Sequence, residues 1–474
     1  MCERLLSQIE VAGAGAGKTY SIANKILDRC MKKESPKMIY AITYTNYAKF
    51  NIIERIKEQN NGDIPNDVIV ETVHSFLLNE LIYPFSKYYF GYSYSKAVSI
   101  PISNKPALKG YQLNRLKDKG IIHNSQVFNK AKQMIVTGSR DTKRICTQKT
   151  IIMDYIVSSI DSLFIDEAQD LDNDALSLFG VIGKSLFVYM VGDPKQAIKY
   201  PGALRDFCAK ISLEKSGFML LPKNIETRRV PETHLKISNL FCPEDEKQYN
   251  INKIQGEIYY IYSLDNTFSS LYKSYVNKKA LIYTQMVTTD FATNNGSQYF
   301  SLEESVREKI IEGMDERFDN DAYIKAIEYQ LLKFAAEKGS RVAIKFLTKY
   351  FRVELEKCEF ARLDEDLKTE SIDKKIKVES IDKVKGLESD YCMFIINNSL
   401  LEYLFEKRGE INKQTMYLYV ALTRSKKDLI IVVDETDIRN KNRKDIDEGF
   451  KNIGIEYLNK DYIEKLCSDL LKID

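Results

Sequence analysis

The 474-residue sequence contains no tryptophan, only three histidines, and eight cysteines that never form a Cys-x-x-Cys pair. Zinc sites need closely spaced Cys and His, and disulfide frameworks need an oxidising compartment, so we expect neither. No apolar run approaches the roughly 20 residues of a membrane-spanning helix. There is also no signal-peptide pattern, internal repeat or low-complexity tract. These absences predict a cytoplasmic protein with reduced, mostly buried thiols and no membrane association.

The composition, 44% hydrophobic and 29% charged, is typical of a globular protein, and the length predicts about three domains. The net charge is only +3, but residues 81–150 hold thirteen Lys and Arg against two acidic residues. Aromatic residues are interleaved with these cations, which is what a binding site for single-stranded nucleic acid requires. The alternative is a basic, solvated face whose aromatic side chains belong to the core.

A glycine-rich stretch at residues 12–19 follows a short apolar strand and precedes a helix-forming segment at residues 20–30. Strand, glycine-rich loop and helix together bind phosphate, because backbone N–H groups and the helix N-terminus converge on the anion. Lys18 would reach the β- and γ-phosphates, and the hydroxyl of Thr19 would ligate Mg²⁺. The candidate nucleotide-binding residues are Ala12, Gly13, Ala14, Gly15, Ala16, Gly17, Lys18 and Thr19.

Four more apolar runs in the first half end in polar residues, at the strand edge where α/β proteins bind ligands. The polar ends, in chain order, are residues 43–46, 72–75, 166–170 and 193–196. After a phosphate loop, Asp166 is predicted to hold Mg²⁺ and Glu167 to polarise the attacking water. Gln196 is predicted to sense the γ-phosphate. For His74, taken alone, a satisfied core histidine is the favoured interpretation.

The strand pattern restarts after residue 223 and surrounds a helical block at residues 302–365. The predicted strands cover residues 257–262, 279–283, 376–381, 391–396 and 428–433. Arg424 precedes the last of them. An arginine of a second domain that faces a phosphate loop makes hydrolysis depend on domain closure. We therefore expect an α/β fold with a second parallel-sheet core.

Taken in order, these segments resemble the motifs of the UvrD/Rep/PcrA class of superfamily 1 DNA helicases. The matching residues are 12–19, 43–46, 72–75, 166–169, 191–196, Arg229 with Asn239, 380–390 and 420–424. The resemblance implies two RecA-like cores of the P-loop NTPase type, with ATP and Mg²⁺ as cofactors. It also implies translocation from 3′ to 5′ on single-stranded DNA.

The resemblance also assigns roles to individual residues. It implies catalytic roles for Glu167, Gln196, Arg229 and Arg424, a nucleotide contact for Glu388, and Mg²⁺ ligation by Thr19 and Asp166. It places Tyr44, Asn46, Thr72, His74, Tyr200 and Ser380 along DNA. Tyr200 stands where the family has a tryptophan platform, and Asp382 replaces a histidine. An anionic side chain near DNA phosphates lowers affinity, so a weakened grip on the strand is expected.

The implied domains include insertions that are shorter than those of full helicases. They are residues 1–80 and 151–222 for core 1A, 81–150 for a basic 1B-like insertion, 223–290 and 366–474 for core 2A, and 291–365 for a reduced helical 2B-like insertion. This compact form resembles the helicase-like subunit of Gabija anti-phage systems, which works beside an OLD-family nuclease with ABC-ATPase and Toprim domains.

Two functional hypotheses follow from the resemblance. The first is a DNA helicase or translocase acting on single-stranded or tailed DNA in anti-phage defence. The second is a DNA- and nucleotide-sensing ATPase subunit that gates a partner nuclease without unwinding DNA by itself. An RNA-directed motor is less favoured, because the motifs resemble those of the DNA branch.

Overall fold

The computed structural model describes residues 6–103, 105–213, 217–288, 290–294, 302–313, 320–369, 376–406, 411–438 and 441–459. These residues form two large parallel β-sheets, each packed against helices on both faces. Strands buried on both faces read as continuous apolar runs, which is why the sequence revealed them. The predicted α/β class with two RecA-like cores is confirmed. Within these ranges no helix is both long and apolar enough to span a bilayer.

The first sheet has six parallel strands in the order β3-β2-β4-β5-β1-β6. They are β1 (Ser7–Val11), β2 (Met38–Thr43), β3 (Val68–Thr72), β4 (Ile160–Ile165), β5 (Phe187–Gly192) and β6 (Phe218–Leu220). The helices packed on this sheet include Lys18–Lys32, Asn46–Gln59, Asn173–Ile182 and Ala203–Leu213. Because the strands are parallel, the polar segments that follow β1, β2, β4 and β5 all lie at one edge.

A mostly helical insertion leaves this sheet after β3 and returns at β4. It begins with a continuous helix made of Val73–Leu77, a π-helical turn at Leu78–Ile82, and Tyr83–Phe90. It ends with the helix Lys143–Ser159, which leads directly into β4. Between them lie Lys96–Val98, Pro106–Asp118, Ile121–His123 and Val127–Ile135. The insertion is therefore joined to its core by helices on both sides.

Most aromatic side chains of this basic insertion contact one another. Phe90 stacks on Tyr92 with ring centroids 5.6 Å apart, and the ammonium of Lys130 lies 4.5 Å from the centre of the Phe90 ring. Tyr94 is buried, whereas Tyr88 is 44% exposed. Most rings of the stretch therefore pack against the core beneath a basic surface, while Tyr88 and Tyr111 stay accessible.

The second sheet has seven parallel strands in the order β9-β10-β8-β11-β12-β7-β13. They are β7 (Glu257–Tyr262), β8 (Leu281–Thr284), β9 (Phe291–Asn294), β10 (Ile376–Ser380), β11 (Ser389–Ile396), β12 (Ser425–Val433) and β13 (Glu456–Tyr457). The helices of this core are Glu232–Ser238, Phe268–Asn277, Ile381–Val384, Asn398–Phe405, Lys413–Leu422 and Arg443–Asn452. The segment before β7 adds a short parallel pair, Glu226–Thr227 with Tyr249–Asn250.

The second sheet extends beyond the boundary predicted for core 2A at residue 290. Strand β9 pairs with β10 from Phe291 to Asn294, so the second sheet continues past residue 290 into the range assigned to the 2B-like insertion. Four residues with two polar side chains at the end carry too little periodicity to predict a strand. Residues 460–474 of the range assigned to core 2A lie outside the described residues.

The helical block after β9 has a hydrophobic core of its own. Its helices are Glu304–Glu312, Asn320–Lys338, Ser340–Tyr350 and Lys357–Thr369. Ile324, Leu331 and Ile344 are fully buried within it. The block meets the first insertion through ion pairs of Arg115 and Lys119 with Glu308. These pairs line a cleft of about 250 Å³.

Two tyrosines of the basic insertion, Tyr88 and Tyr94, provide a stability test. Tyr94→Ala deletes a buried ring and should lower the melting temperature by about 5 °C or more, because the cavity left behind cannot fully collapse. Tyr88→Ala should change it by less than about 1 °C, since most exposed substitutions are nearly neutral. Thermal denaturation followed by circular dichroism measures both, and equal shifts would contradict this division of the aromatic stretch.

Candidate active site

The glycine-rich loop connects β1 to the helix Lys18–Lys32 at the edge where the strands end. Gly15 and Gly17 have φ values of +70° and +78°, a backbone region that residues with a Cβ disfavour. The ammonium of Lys18 lies 3.0 Å from the carbonyl oxygen of Gly13 and so points back into the loop. The loop therefore brings a lysine and a helix N-terminus together in one place, as an anion site requires.

Two adjacent carboxylates lie beside this loop. The hydroxyl of Thr19 donates to Asp166 Oδ2 at 3.0 Å, so the two predicted Mg²⁺ ligands are in contact. Burial, together with the neighbouring Glu167 carboxylate, raises the pKa of Asp166. Burial also disfavours the charge on Glu167, but Lys18 and Lys385 outweigh it, and the pKa of Glu167 is lowered. A nearby cation would therefore stabilise the ionised form of Asp166, whereas Glu167 is already held in its ionised form.

Hydrogen bonds between two loops fix the position of Glu167. Its φ of +55° is uncommon for a residue with a side chain and marks a constrained turn. The amide of Gln169 donates to the Glu167 carboxylate, and Gln169 Oε1 accepts the Asp193 N–H at 2.9 Å. Gln196 donates to Asp193 Oδ2 at 2.9 Å. The segments after β4 and β5 therefore hold Glu167 and Gln196 as one unit.

One arginine of the second core contacts the loop, and a second lies close enough to Glu167 to help lower its pKa. A Cβ placed on Gly15 would come 3.0 Å from Arg229 Cβ and 3.3 Å from its Nε, and Arg229 forms an ion pair with Glu388. Arg424 is only 1% exposed and donates to the Val420 carbonyl at 2.9 Å. Burial and the nearby Arg229 lower the pKa of Arg424 to about 10, so it remains protonated at neutral pH. Both predicted arginines thus lie in the junction between the cores.

The donor set beside the loop fits Mg²⁺ bound together with a nucleotide. Within the described ranges, no group of three or more His, Cys, Asp or Glu could hold a metal ion by itself. Mg²⁺ is usually bound by one or two protein oxygens and completes its shell with phosphates and water. Thr19 and Asp166 supply two such oxygens, and a divalent cation there would offset the charge of the buried carboxylate pair.

The residues predicted to contact DNA lie on both cores. On the first core the rings of Tyr44 and His74 are 5.6 Å apart, and the ammonium of Lys199 lies 4.1 Å from the centre of the Tyr44 ring. The same ammonium lies 5.7 Å from the ring centre of Tyr200. These three rings and the lysine therefore form one polar and aromatic cluster.

The remaining candidates occupy less similar places. Asn46 is exposed at the start of a helix, while the Thr72 hydroxyl accepts the Ser75 N–H at 3.2 Å and so caps the helix Val73–Leu77. Ser380 is buried at the end of β10 on the second core. Thr72 thus has a structural role in addition to the one predicted for it.

The sequence analysis missed the segment that connects the two cores. This segment runs alongside the phosphate loop and is hydrogen-bonded to its backbone. The Gly13 N–H donates to the Asn224 carbonyl at 3.0 Å, and the Arg228 N–H donates to the Gly15 carbonyl at 3.2 Å. Gln248 then forms hydrogen bonds to both backbone groups of Ala14. A single glutamine in a polar stretch carries no pattern that would single it out.

Tyr419 was also missed, although it directly precedes the motif at residues 420–424. Its hydroxyl oxygen accepts the Ala14 N–H at 3.1 Å, so it reaches the loop from the helix Lys413–Leu422. Asn239, which was matched to the family only by spacing, binds the main chain of Gln248 at 2.8 and 2.9 Å. The signal for Tyr419 was its place five residues before Arg424.

Comparisons with known proteins agree with the motif analysis. A family described as an AAA domain matches residues 7–201. The Gabija protein GajB of Bacillus cereus (strain VD045) is 31% identical over 190 residues, which cover 40% of this chain and 36% of that protein. The match thus spans about a third of the relative. An arterivirus nonstructural protein 10 (helicase), solved with DNA, covers 90% of this chain and is covered to 60%, with 9% identity and a TM-score of 0.36. The resemblance to GajB and to helicases of superfamily 1 is confirmed.

Proposed function

We propose that this chain is an ATP hydrolase that moves on single-stranded DNA, with 3′-to-5′ polarity, in anti-phage defence of the Gabija type. The observation that carries the proposal is the meeting of the two cores. The phosphate loop and the Asp166–Glu167 pair come from the first core, and Arg229 and Arg424 come from the second. Hydrolysis in such a junction depends on how the cores close, which is the condition for a motor.

Each group then has a chemical task. Bound Mg²⁺ would neutralise phosphate charge, held by Thr19 and Asp166. Lys18 and the loop N–H groups bind the phosphates, and Glu167 accepts a proton from the attacking water. Gln196 contacts the terminal phosphate, and Glu388 holds Arg229 in place. Arg229 and Arg424 stabilise the negative charge that develops, an effect worth roughly 10³ to 10⁵ in kcat among NTPases with an arginine finger.

The DNA path follows the strand-end edges of both sheets. Tyr44, His74 and Tyr200 supply rings on which bases can stack, and Lys199 supplies positive charge among them. Asn46, Thr72 and Ser380 supply polar contacts along the same edges. Burial and the nearby Lys199 lower the pKa of His74 to about 4, so this imidazole is neutral and acts by stacking or hydrogen bonding, not by charge.

The second candidate function is a sensor that gates a partner nuclease of the OLD family without unwinding DNA. Four aromatic rings of the 1B-like insertion, at residues 89, 90, 92 and 94, contact one another, and this insertion is ion-paired to the helical block through Glu308. Both features leave less free surface for engaging a duplex. In this function the ATPase cycle reports DNA and nucleotide to the partner. The cytoplasmic location stays a prediction.

The role of Glu167 can be tested by a single substitution. Glu167→Gln should bind ATP with nearly unchanged affinity but lower DNA-stimulated kcat by about 10² or more, because the amide cannot accept a proton. Steady-state ATPase assays and binding of a fluorescent ATP analogue measure the two quantities. Asp174→Asn, a carboxylate on the helix Asn173–Ile182 that pairs with Lys132, is the matched control. Turnover near that of the parent chain would overturn the assignment.

The two candidate functions differ in strand separation. ATP hydrolysis by the purified chain should rise with single-stranded DNA in both cases. A motor that is autonomous unwinds a duplex with a 3′ tail, whereas a gating subunit turns over ATP and leaves the duplex intact. A 5′-tailed duplex is the control for polarity, and its faster unwinding would contradict the 3′-to-5′ assignment.

The protonation state of His74 gives a separate test of the DNA cluster. In the free protein, the ring carbon signals of His74 should stay in the neutral form down to about pH 5, because its pKa is about 4 rather than 6.5. Histidine-labelled NMR spectra from pH 8 to pH 5 measure this, and His74→Gln assigns the signal among the three histidines. A midpoint near 6.5 would mean that the ring is hydrated and charged near neutral pH.

A further inference from the structure

We propose that Gln248 is a positioning residue that couples the conformation of the phosphate loop to the closure of the two cores. This inference deepens the proposed function, and its catalytic readout rests on that function. Gln248 belongs to the segment that connects the cores, and it touches neither the predicted DNA cluster nor the carboxylate pair through any hydrogen bond described above. Its contacts are with the loop backbone and with Tyr419.

The side chain of Gln248 pairs with Ala14 as a neighbouring β-strand would. Gln248 Oε1 accepts the Ala14 N–H at 3.1 Å, and Gln248 Nε2 donates to the Ala14 carbonyl at 3.0 Å. The amide is 4% exposed, so water does not compete for these bonds. A buried backbone N–H or carbonyl left without a partner is costly, and the loop conformation therefore depends on this side chain.

Tyr419 links this pair to the opposite side of the site. Its hydroxyl lies 2.6 Å from Gln248 Oε1 and 3.1 Å from Asp193 Oδ2. A hydroxyl has one proton, so Tyr419 donates to one of these acceptors at a time. Asp193 also accepts from Gln196, the predicted γ-phosphate sensor. Gln248, Tyr419 and Asp193 thus connect the loop backbone to the position that senses the nucleotide.

The space above Gly13 is shaped for this amide. A Cβ on Gly13 would lie 2.3 Å from Gln248 Cδ and Nε2, which is closer than any real contact. Ala14 also packs in a small apolar cluster with Val230, Leu235 and Tyr419 of the second core. Gly13 is therefore required to admit Gln248, and the cluster excludes water from its hydrogen bonds, which strengthens them.

These contacts have to form and break together when the cores move. A conformation of the loop that binds phosphate well favours the closed arrangement, and closure favours that conformation in return, since such coupling is reciprocal. Removing the amide should impair turnover more than nucleotide affinity, because the loop remains present but is no longer held by the connecting segment through Gln248.

Two substitutions and one control test the kinetic effect. Gln248→Met and Tyr419→Phe should each lower DNA-stimulated kcat by about tenfold while the Kd for a non-hydrolysable ATP analogue changes less than about threefold. The control is Tyr262→Phe, a buried tyrosine of β7 whose hydroxyl binds Asp447 away from the loop. Its kcat and Kd should match those of the parent, and thermal melting of each variant checks folding.

A double-mutant cycle tests the contact itself. Gly13→Ala should reduce kcat by about tenfold in the parent, where the methyl group meets Gln248, and by less than about twofold in a Gln248→Ala background, where the space is free. The φ of Gly13 is not in the left-handed region, so alanine adds no backbone strain. Equal losses in both backgrounds would overturn the proposal.

Hydrogen exchange separates this proposal from the proposed function. In Gln248→Met without nucleotide, peptides covering residues 12–19 should exchange at least about fivefold faster than in the parent. The Ala14 N–H then loses one of its two acceptors, and the Ala14 carbonyl loses the side-chain donor that pairs the loop with Gln248. Faster exchange in a chain that hydrolyses no ATP would refute the ATPase and leave the coupling standing. Unchanged exchange, together with unchanged kcat in an active chain, would overturn the coupling alone.

Discussion

The backbone of the phosphate loop is the constraint on which the site depends. A stretch of small residues cannot pack by side chains of its own, so its shape is set by the groups that surround it. Strand β1 and the following helix fix its two ends. Asn224, Arg228 and Gln248 bind its main chain from the connecting segment and the second core. The candidate nucleotide site is therefore built by both cores together.

The same junction buries several charges that stabilise one another. Lys195 is 3% exposed and lies 3.1 Å from Asp193 and 3.6 Å from Glu246, while Arg205 binds Glu246 through two nitrogens. Removing one partner of such a group leaves a buried charge without a counter-charge, which strongly destabilises the protein. Ion pairs and hydrogen bonds of this kind hold the two cores in one relative orientation. Water can replace them when the cores separate, so the junction can open and close.

The parts of the fold that follow from local patterns were predictable. Buried parallel strands are continuous apolar runs, and the polar residues after them mark the edge where ligands bind, so both sheets and the loop, Asp166 and Arg424 could be placed from the sequence. Contacts between distant segments could not. Strand β9 is too short to show a period, and Gln248 has meaning only beside Ala14, 234 positions away. Roles assigned through resemblance remain predictions.

The basic stretch at residues 81–150 shows why composition alone cannot distinguish nucleic-acid binding from packing within the protein. Interleaved cations and rings indicate stacking on nucleic acid as well as they indicate packing within the protein, because both use the same interaction. Only the three-dimensional arrangement, in which Lys130 lies over Phe90, distinguishes them. For Tyr88, which is accessible, both uses stay open.

The first insertion is attached to its sheet directly by two helices, Val73–Leu77 at its start and Lys143–Ser159 at its end, so it moves together with that sheet. When the second core rotates against the first, the contact of Arg115 and Lys119 with Glu308 of the helical block is displaced as well. Rotation must therefore break these ion pairs or carry the block along with the first core. Because exposed ion pairs weaken as salt is added, the contact between the first insertion and the helical block depends on ionic strength.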